Sequence, residues 1–327
     1  MRACGGQRPG PGVEPAAGCR AGPGRATSAR GVDRQWHGRS PAGWGVAMTL
    51  RLATAQAMCE IDPALGAGVR RWCVAGVDYL RHAPAPSTAR ETGCYPLVPF
   101  CNRLGAGVAR LGDAAWPVRP SFGDPPMACH GDGWLSIWHV AEAAATTATL
   151  VLEPGEAPWR YHATLTAALS DAALSLTLTV VNHSAETMPF GLGLHPFFAD
   201  AEGATVQFAA DTVWLEGPDL VPAHAIQVPP ELDHRVGQPV PPVRRNLCYS
   251  GWDGVARLTW PDGRRLTMTA PGARHLHLFR LPDQSFLCLE PQTHLSGAMG
   301  WRDGPAHGIQ PLAPGQQLSL TMGLQVL

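Results

Sequence analysis

Two short segments carry side chains that could exchange protons with a substrate near neutral pH. The runs Gly191–His195 (Gly-Leu-Gly-Leu-His) and Phe286–Glu290 (Phe-Leu-Cys-Leu-Glu) are largely apolar, and each ends on an acid/base residue immediately before a proline. A histidine and a glutamate that meet in a fold form a general-acid/general-base pair. Such a pair can take one proton from a substrate while it gives another.

The first run predicts a strand whose two faces differ. Alternate residues of a strand point to opposite sides, so Leu192 and Leu194 share one face, and Gly191, Gly193 and His195 share the other. Glycines in a strand often mark a place where another group approaches the backbone closely. We therefore expect the histidine face to be cleared for a ligand.

The second run predicts the same arrangement for the carboxylate. Alternation places Phe286, Cys288 and Glu290 on one face of a strand. Since a cysteine lies on this face, a thiol nucleophile is an alternative to acid/base chemistry. Each of the following cysteines lies within two residues of a candidate functional segment: Cys101, Cys129, Cys248 and Cys288.

The composition favours a globular protein with no strong electrostatic partner. A chain of 327 residues with 45% hydrophobic residues and a net charge of −1 allows one large all-β domain or two ordinary domains. That charge balance predicts neither nucleic-acid nor membrane binding, and no apolar run approaches the roughly 18 residues of a membrane span. Nine scattered cysteines without metal-ligand spacing predict reduced thiols in a cytoplasmic protein.

The first 47 residues differ from the rest of the chain. They carry seven arginines against Glu14 and Asp33, many glycines and prolines, and no hydrophobic periodicity. A signal peptide is excluded because no apolar core region is present. A basic arm for nucleic acid and a transit peptide are alternatives. The composition favours a disordered extension, or upstream codons in the gene, before a domain that spans residues 48–327.

From residue 48 onward, short alternating segments are separated by turns. Residues 164–169 and 174–180 alternate cleanly around Ser-Asp, and residues 258–260 and 265–269 flank an Asp-Gly turn, so both pairs predict hairpins. The stretch 135–148 fits a helix and two strands equally well. Further strands are predicted at 206–208, 213–215, 275–279 and 318–322. The pattern predicts one all-β domain of stacked antiparallel sheets.

Five motifs occur in the order found in one enzyme family. They are Pro99–Leu104 (Pro-Phe-Cys-Asn-Arg-Leu), His130–Trp134 followed by Trp138, Gly193–Phe198, Cys248–Gly254 and Glu290–His294. Over about residues 48–327 the chain resembles the aldose 1-epimerase (galactose mutarotase) family. The resemblance implies a large antiparallel β-sandwich, the galactose mutarotase-like supersandwich. It also implies interconversion of the α and β anomers of a free sugar without a metal or organic cofactor. We expect a monomer or homodimer, a choice that the sequence leaves open.

The resemblance also implies roles for individual residues. Matched by motif, Glu290 is the base that takes the proton of the C1 hydroxyl, and His195 is the acid that protonates the ring oxygen. Arg103 and His130 match positions that hydrogen-bond sugar oxygens, with Asn102 beside them. These roles need an ionised glutamate and a protonated histidine, and we expect the neighbouring carboxylate to raise the pKa of His195.

Two positions differ from many relatives. His277 stands where those relatives have a glutamine that binds a hydroxyl, and Asn246 stands where they have an aspartate. An amide keeps an acceptor oxygen but loses the charge, and hydrogen bonds to charged groups are worth about 1.5–3 kcal/mol against about 0.5–1.5 kcal/mol for neutral ones. The prediction is an active epimerase with altered sugar preference, in which Asn246→Asp lowers KM for a galactose-like sugar several-fold.

Three alternatives remain open on the residues alone. His275 and His277 share a predicted strand face and would form a cupin-like metal site with Glu290. Arg244 and Arg245 would supply the cationic pocket of a hexose-phosphate epimerase. A non-catalytic sugar-binding protein on the same fold would keep the pocket and lose the acid/base pair.

Overall fold

Antiparallel strands build nearly the whole structure. The computed structural model describes residues 49–123, 127–153 and 159–327. The strands, in chain order, are β1 (Leu50–Ala53), β2 (Ala57–Asp62), β3 (Gly68–Val74), β4 (Val77–Asp78), β5 (Pro96–Leu97), β6 (Arg103–Leu104), β7 (Val108–Leu111), β8 (Ala114–Pro117), β9 (Ala128–Cys129), β10 (His139–Ala143), β11 (Thr147–Leu152), β12 (Tyr161–Leu169), β13 (Ala173–Asn182), β14 (Met188–Phe190), β15 (Gly193–Leu194), β16 (Phe197–Phe198), β17 (Thr205–Phe208), β18 (Thr212–Glu216), β19 (Pro222–Gln227), β20 (Gln238–Pro239), β21 (Arg245–Ser250), β22 (Val255–Thr259), β23 (Arg265–Thr269), β24 (His275–Arg280), β25 (Leu287–Gln292), β26 (Gln310–Leu312) and β27 (Gln317–Val326).

The helical content consists of single 3₁₀ turns. They are Ala89–Glu91, Gly105–Gly107, Gly133–Leu135, Pro230–Leu232, Ala298–Gly300 and Gly304–His307. Within the described ranges, no helix has the length and hydropathy that a membrane crossing requires. The described chain is therefore all-β, as the alternation of the sequence predicted.

Two large antiparallel sheets dominate the topology. One has nine strands in the order β10-β11-β12-β13-β27-β23-β22-β17-β20, and the other has the order β19-β18-β21-β24-β25-β15-β5, with β16 also paired to β25. A third sheet of four strands, β1 to β4, is formed by the first described segment. This is the stacked-sheet architecture predicted from the sequence.

The predicted hairpins and strands are confirmed. Strands β12 and β13 pair over nine residues, from Tyr161↔Asn182 to Leu169↔Leu174, and β22 pairs with β23 around the Asp-Gly turn. The ambiguous stretch forms two strands, β10 and β11, rather than a helix. Extended structure is favoured there because β11 pairs with β10 on one side and with β12 on the other, which satisfies its backbone hydrogen bonds.

The main hydrophobic core lies between the two large sheets. The nine-stranded sheet contributes alternate residues such as Leu165, Leu178 and Leu258, while Leu276 and Leu289 come from the eight-stranded sheet. Strand β13 alternates between half-buried and buried residues along its length, as expected for a sheet with one face in the core. Burying one leucine side chain completely contributes about 1.5–3 kcal/mol to the free energy of folding.

The central strands of the eight-stranded sheet are buried on both faces. All six residues of β25 are buried, because Leu287 and Leu289 face the main core while Cys288 packs with Phe286 in a separate cluster on the opposite face. The face prediction for this run is thus confirmed. Polar residues on the second face are enclosed by protein, which is the physical setting for a shifted pKa.

The seven cysteines in the described part of the chain are free and buried. This agrees with their prediction as reduced core residues. The proposed extension, residues 1–47, lies outside the described residues.

Candidate active site

The predicted acid/base pair is brought together on the second face of the eight-stranded sheet. Glu290 lies on β25, and His195 follows the last residue of β15, which pairs with β25. The His195 Nε2 atom is 3.3 Å from Glu290 Oε1. Both side chains are almost completely buried, with exposed fractions of 8% for the histidine and 2% for the glutamate.

The two glycines beside His195 make room for protein rather than for a ligand. A Cβ atom added to Gly191 would lie 1.9 Å from Cδ2 of His294, and one added to Gly193 would lie 2.7 Å from Sγ of Cys101. The expectation that these glycines clear a face for ligand is therefore wrong. His294 is a structural residue, because its Nε2 accepts from the Cys101 backbone N–H at 2.9 Å and its Nδ1 is 2.8 Å from the Leu295 carbonyl oxygen.

Aromatic rings enclose the imidazole of His195. The imidazole of His195 stacks on Phe197, with ring centroids 4.4 Å apart and planes 10° apart, and its centroid is 4.8 Å from that of Tyr95. The guanidinium carbon of Arg81 lies 3.9 Å from the Phe197 centroid. Tyr95 was missed from the sequence because its single aromatic ring lies in a loop with no distinguishing pattern.

Burial shifts the two pKa values of the pair in opposite directions and reverses their usual order. Desolvation raises the pKa of Glu290 from 4.5 to about 8, against smaller opposing effects of a hydrogen bond from Gln292 and the charge of Arg103. Desolvation, followed by the charges of His130 and other groups, holds the pKa of His195 well below its usual range. The expected rise in the histidine pKa is wrong, because burial removes the hydration that stabilises the charged imidazolium and nearby positive groups disfavour it further. These directions favour a resting pair near neutral pH in which Glu290 holds the proton beside a neutral imidazole.

Two loops beside the pair are held by strained, mutually bonded residues. Asn102 and His130 have positive φ angles of 60° and 61°, a region that non-glycine residues rarely adopt and that clusters at functional sites. The Asn102 N–H donates to His130 Nδ1 at 3.0 Å, and the His130 N–H donates to the Asn102 carbonyl oxygen at 3.0 Å. These reciprocal bonds fix the two loops to each other.

The same contacts define which hydrogen-bonding groups the loops offer. Burial lowers the pKa of His130 to about 3, so the ring is neutral, and its proton must lie on Nε2 because Nδ1 accepts from Asn102. The Asn102 side-chain oxygen accepts from the Arg103 N–H at 2.7 Å. The Arg103 guanidinium lies close enough to oppose the rise in the Glu290 pKa. All three residues predicted from the Asn-Arg and His-Gly motifs are thus placed around the pair.

Asn246 and His277 also lie in the site, but their polar atoms bond to protein. His277 is the cross-strand partner of Glu290, and its Nε2 is 2.8 Å from Oδ1 of Asn246. The Asn246 amide donates to Glu216 on β18, and Arg244 binds the same carboxylate with two bonds of 2.5 and 2.9 Å. Glu216 was missed because it meets the site only through strand pairing, which no local motif records.

Two further polar residues complete the network around Glu290. Gln292 Nε2 is 3.3 Å from Glu290 Oε2, and Ser296 Oγ is 3.0 Å from Gln292 Oε1. The sequence did carry a signal for Gln292, since period-two alternation on β25 places it on the same face as Glu290. Ser296 follows the strand in a loop, and no periodicity predicts its position.

The alternative chemistries are not supported by these contacts. Among the described residues, no group of three or more His, Cys, Asp or Glu could hold a metal ion, and His275 bonds Ser250 Oγ at 3.0 Å instead. Burial keeps the nearby thiols protonated, and it raises the pKa of both Cys129 and Cys248 to about 12. Arg244 is engaged by Glu216, so it does not form an open cationic pocket.

The described chain is nearly all-β, with large stacked antiparallel sheets and a buried His–Glu pair. This fold is that of the galactose mutarotase-like class of β-sandwich proteins. The sequence model of the aldose 1-epimerase family matches residues 48–325. The chain therefore belongs to the aldose 1-epimerase family.

Relatives agree with this assignment. The chain is 32% identical over 259 residues to the uncharacterized protein YphB of Escherichia coli K12, covering 76% of this chain and 88% of the relative. A solved structure from the same organism, named provisionally as an aldose 1-epimerase, has a TM-score of 0.80 at 28% identity, covering 86% of this chain and 99% of that chain. A galactose mutarotase-like protein of Clostridium acetobutylicum has a TM-score of 0.76 at 20% identity, with 85% and 95% coverage, and supports the fold alone.

Proposed function

We propose that the protein is an aldose 1-epimerase that interconverts the α and β anomers of a free aldose. The observation that carries the proposal is the buried contact of 3.3 Å between His195 and Glu290. The two oxygens that exchange protons in a hemiacetal, the C1 hydroxyl and the ring oxygen, are bonded to the same carbon. An acid and a base that serve them must therefore be close neighbours, as these two side chains are.

The reaction needs one proton on the pair and returns it. A proton transfer along the contact from Glu290 to His195 converts the neutral resting pair into an ion pair. Glu290 then takes the proton of the C1 hydroxyl while His195 protonates the ring oxygen, and the C1–ring oxygen bond breaks to give the open aldehyde. Rotation about the bond between C1 and C2 exposes the other face of the carbonyl. Ring closure then reverses both proton transfers.

The surrounding residues supply binding and charge. The raised pKa of Glu290 makes its ionised form a stronger base than an exposed carboxylate. The Arg103 guanidinium stabilises the negative charge that Glu290 acquires, and the Nε2–H of His130 is a fixed donor for a sugar oxygen. Asn102 and the Asn246–His277 pair form the polar wall of the site. Placed proton transfers of this kind contribute typically about 10²–10⁴-fold to a rate.

The proposal is tested by polarimetry of freshly dissolved α-aldoses. The purified protein should accelerate mutarotation of at least one free aldose, and Glu290→Gln should remove the acceleration. Glu231→Gln is the matched control, because Glu231 is an exposed carboxylate away from the site. A protein that binds aldoses but accelerates none of them would be a sugar-binding protein on this fold. Saturable acceleration confined to sugar phosphates would replace the free aldose by a phosphate ester as substrate.

A further inference from the structure

A cavity that none of the candidate acid/base residues borders lies at one end of strands β24 and β25. Its volume is about 440 Å³, within the roughly 300–1,000 Å³ that small-molecule sites occupy. Its border includes residues from the ends of these two strands, from the segment 305–310 and from β27. The cavity is therefore a separate space from the site of Glu290 and His195.

The antiparallel register brings several polar residues to this cavity. His275 is the first residue of β24, and its cross-strand partner is Gln292, the last residue of β25. Arg274 precedes the one and Thr293 follows the other, so both neighbours reach the same end of the strand pair. His275, Arg274 and Thr293 all border the cavity.

The imidazole of His275 has one nitrogen left for a ligand. The residue is buried, with an exposed fraction of 8%, and its Nδ1 is 3.0 Å from Ser250 Oγ. Within the described part of the chain, Nε2 has no hydrogen-bond partner. Burial, with smaller effects of His294, His307 and Arg274, lowers the pKa of His275 to about 3, so the ring is neutral. A neutral imidazole offers a donor or an acceptor at its second nitrogen.

Arg274 is the one charged residue on the border of the cavity. It is exposed, and no carboxylate of the described ranges comes within 4.0 Å of its guanidinium. Asp211 packs against Gly251 at the rim, and its carboxylate is 4.0 Å from Arg235 Nη2. With His275 neutral, the border of the cavity carries a positive charge that no acidic residue on that border offsets.

Uncharged groups supply further hydrogen bonds and an apolar surface. The Thr293 hydroxyl oxygen accepts from the Leu192 N–H at 2.9 Å, which leaves its own proton to donate. Gln310, an exposed residue, also borders the cavity. Pro305 and Ala306 add exposed apolar surface. The cavity thus combines one cation, several uncharged polar groups and an apolar patch.

These groups match one kind of ligand. A guanidinium binds carboxylate or phosphate oxygens through paired hydrogen bonds. An imidazole, a hydroxyl and an amide suit groups that both donate and accept, such as the hydroxyls of a polyol. We propose that this cavity is a second ligand site, in which Arg274 and His275 bind a small anion that carries several hydroxyl groups. Sugar acids supply such an anion as a carboxylate, and polyol phosphates supply it as a phosphate ester.

Binding at this second site does not depend on the proposed epimerase reaction. The ligand needs no ring that opens, and its contacts are Arg274, His275 and Thr293 rather than Glu290 and His195. Gluconate and glucitol 6-phosphate are suitable probes, because neither is an aldose and neither can form a hemiacetal.

Isothermal titration calorimetry of the full-length protein tests the class of ligand. At least one of the two probes should bind saturably, with one site per chain. Glucitol, which lacks the charge, and inorganic phosphate, which lacks the hydroxyls of a polyol, should bind at least about ten-fold more weakly, since each loses part of the contacts. Binding of gluconate alone supports a carboxylate ligand at this site, and binding of glucitol 6-phosphate alone supports a phosphate ester.

Variants locate the bound probe. Arg274→Met keeps the apolar part of the side chain but removes the charge, and it should weaken binding at least about ten-fold. Because Arg274 is exposed, this variant should fold. Arg257→Met is the matched control, at an exposed arginine of β22 outside the cavity, and it should leave the affinity unchanged. Glu290→Gln should leave it unchanged as well, since Glu290 does not border the cavity.

NMR of the histidine side chains gives a second readout. The ring signals of His275, assigned from their loss in His275→Phe, should shift when the bound probe is added to the wild type and shift much less in Arg274→Met. Absence of saturable binding of both probes up to about 10 mM would overturn the proposal. Binding that Glu290→Gln abolishes and Arg274→Met retains would also overturn it, because the probe would then occupy the acid/base site. Equal weakening in Arg274→Met and Arg257→Met would show a nonspecific effect of net charge and overturn it too.

Discussion

The acid/base chemistry proposed for Glu290 and His195 depends on their burial from water as much as on their residue types. The sequence identified both residues, because each ends an apolar run before a proline and each belongs to a family motif. It could not give the direction of their pKa shifts. Those shifts depend on how completely water is excluded, and the exclusion arises from Tyr95, Phe197 and the loops that carry Asn102 and His130, which are distant in the chain.

The raised pKa of Glu290 has a consequence for stability. Between pH 4.5 and about 8 the folded protein keeps a proton on Glu290 that the unfolded chain has released. The contribution of Glu290 to the free energy of unfolding therefore falls as pH rises through this window, by up to about 1.4 kcal/mol per pH unit for one proton. Glutamine does not titrate, so Glu290→Gln should be more stable relative to wild type at pH 8 than at pH 5. Urea unfolding at several pH values measures this.

The control for that experiment is Glu231→Gln, whose carboxylate is exposed. It should keep a constant stability difference from wild type over the same range. If the difference between Glu290→Gln and wild type were independent of pH from 5 to 8, the Glu290 carboxyl would not be shifted in the folded protein.

The structure reverses the expectation for Asn246→Asp. The Asn246 amide donates to Glu216, so an aspartate would place two carboxylates in contact. Like charges at this distance disfavour ionisation of both, and we expect the variant to show a raised KM and a lower Tm at pH 8 than at pH 5. Adding Glu216→Gln should relieve both effects, because the glutamine can donate to the new aspartate. A several-fold lower KM in the single variant would restore the simple hydroxyl-binding role expected from the sequence.

At the scale of elements, alternation predicted which residues share a face but not what covers that face. Strand β25 was correctly divided into a core side, with Leu287 and Leu289, and a site side, with Cys288 and Glu290. The glycines of the Gly191–His195 run correctly indicated that another group approaches the backbone closely. The sequence could not show that this group is protein rather than ligand. Glu216 could not be found locally, since it reaches the site only because β18 pairs with β21.

The close packing at β15 predicts a sharp response to one methyl group. Gly191→Ala would bring its Cβ to 1.9 Å from the His294 ring, and His294 supports the Cys101 backbone next to Asn102. Overpacking of this kind typically costs about 1–3 kcal/mol. We expect a lower Tm together with reduced activity. Gly105→Ala is the matched control, because its Cβ would meet only an ordinary contact of 3.4 Å to Asp219. Equal tolerance of both substitutions would show that the His294 ring can move without consequence.

At the scale of the molecule, the all-β architecture was predictable because half-buried strands leave a period-two signal, as in the pair β12 and β13. The order of strands in the two large sheets was not predictable from that signal. Pairings such as β13 with β27 join segments that are far apart in the chain, and their partners are chosen by the fit of whole faces. The family resemblance supplied the architecture that periodicity alone left open.

Removal of residues 1–47 tests where the functional domain begins. Their composition, rich in glycine, proline and arginine, is poorly suited to burying enough apolar surface to offset the entropy cost of ordering. A protein that starts at Met48 should keep the Tm and the activity of the full chain. Differential scanning calorimetry and polarimetry on the two proteins measure this. A drop of several degrees in Tm would show that the segment packs on the domain.

The most direct measurement of the central claim is exchange between the two anomers of an aldose at equilibrium, followed by two-dimensional exchange NMR. We predict cross-peaks between the α and β C1 protons that appear with catalytic amounts of the wild-type protein. Glu290→Gln and His195→Ala should each reduce the exchange rate by at least about 100-fold while the proteins stay folded, and His224→Ala, at an exposed position, should leave it unchanged. Exchange that persisted at more than about a tenth of the wild-type rate in either site variant would contradict the assigned proton-transfer pair.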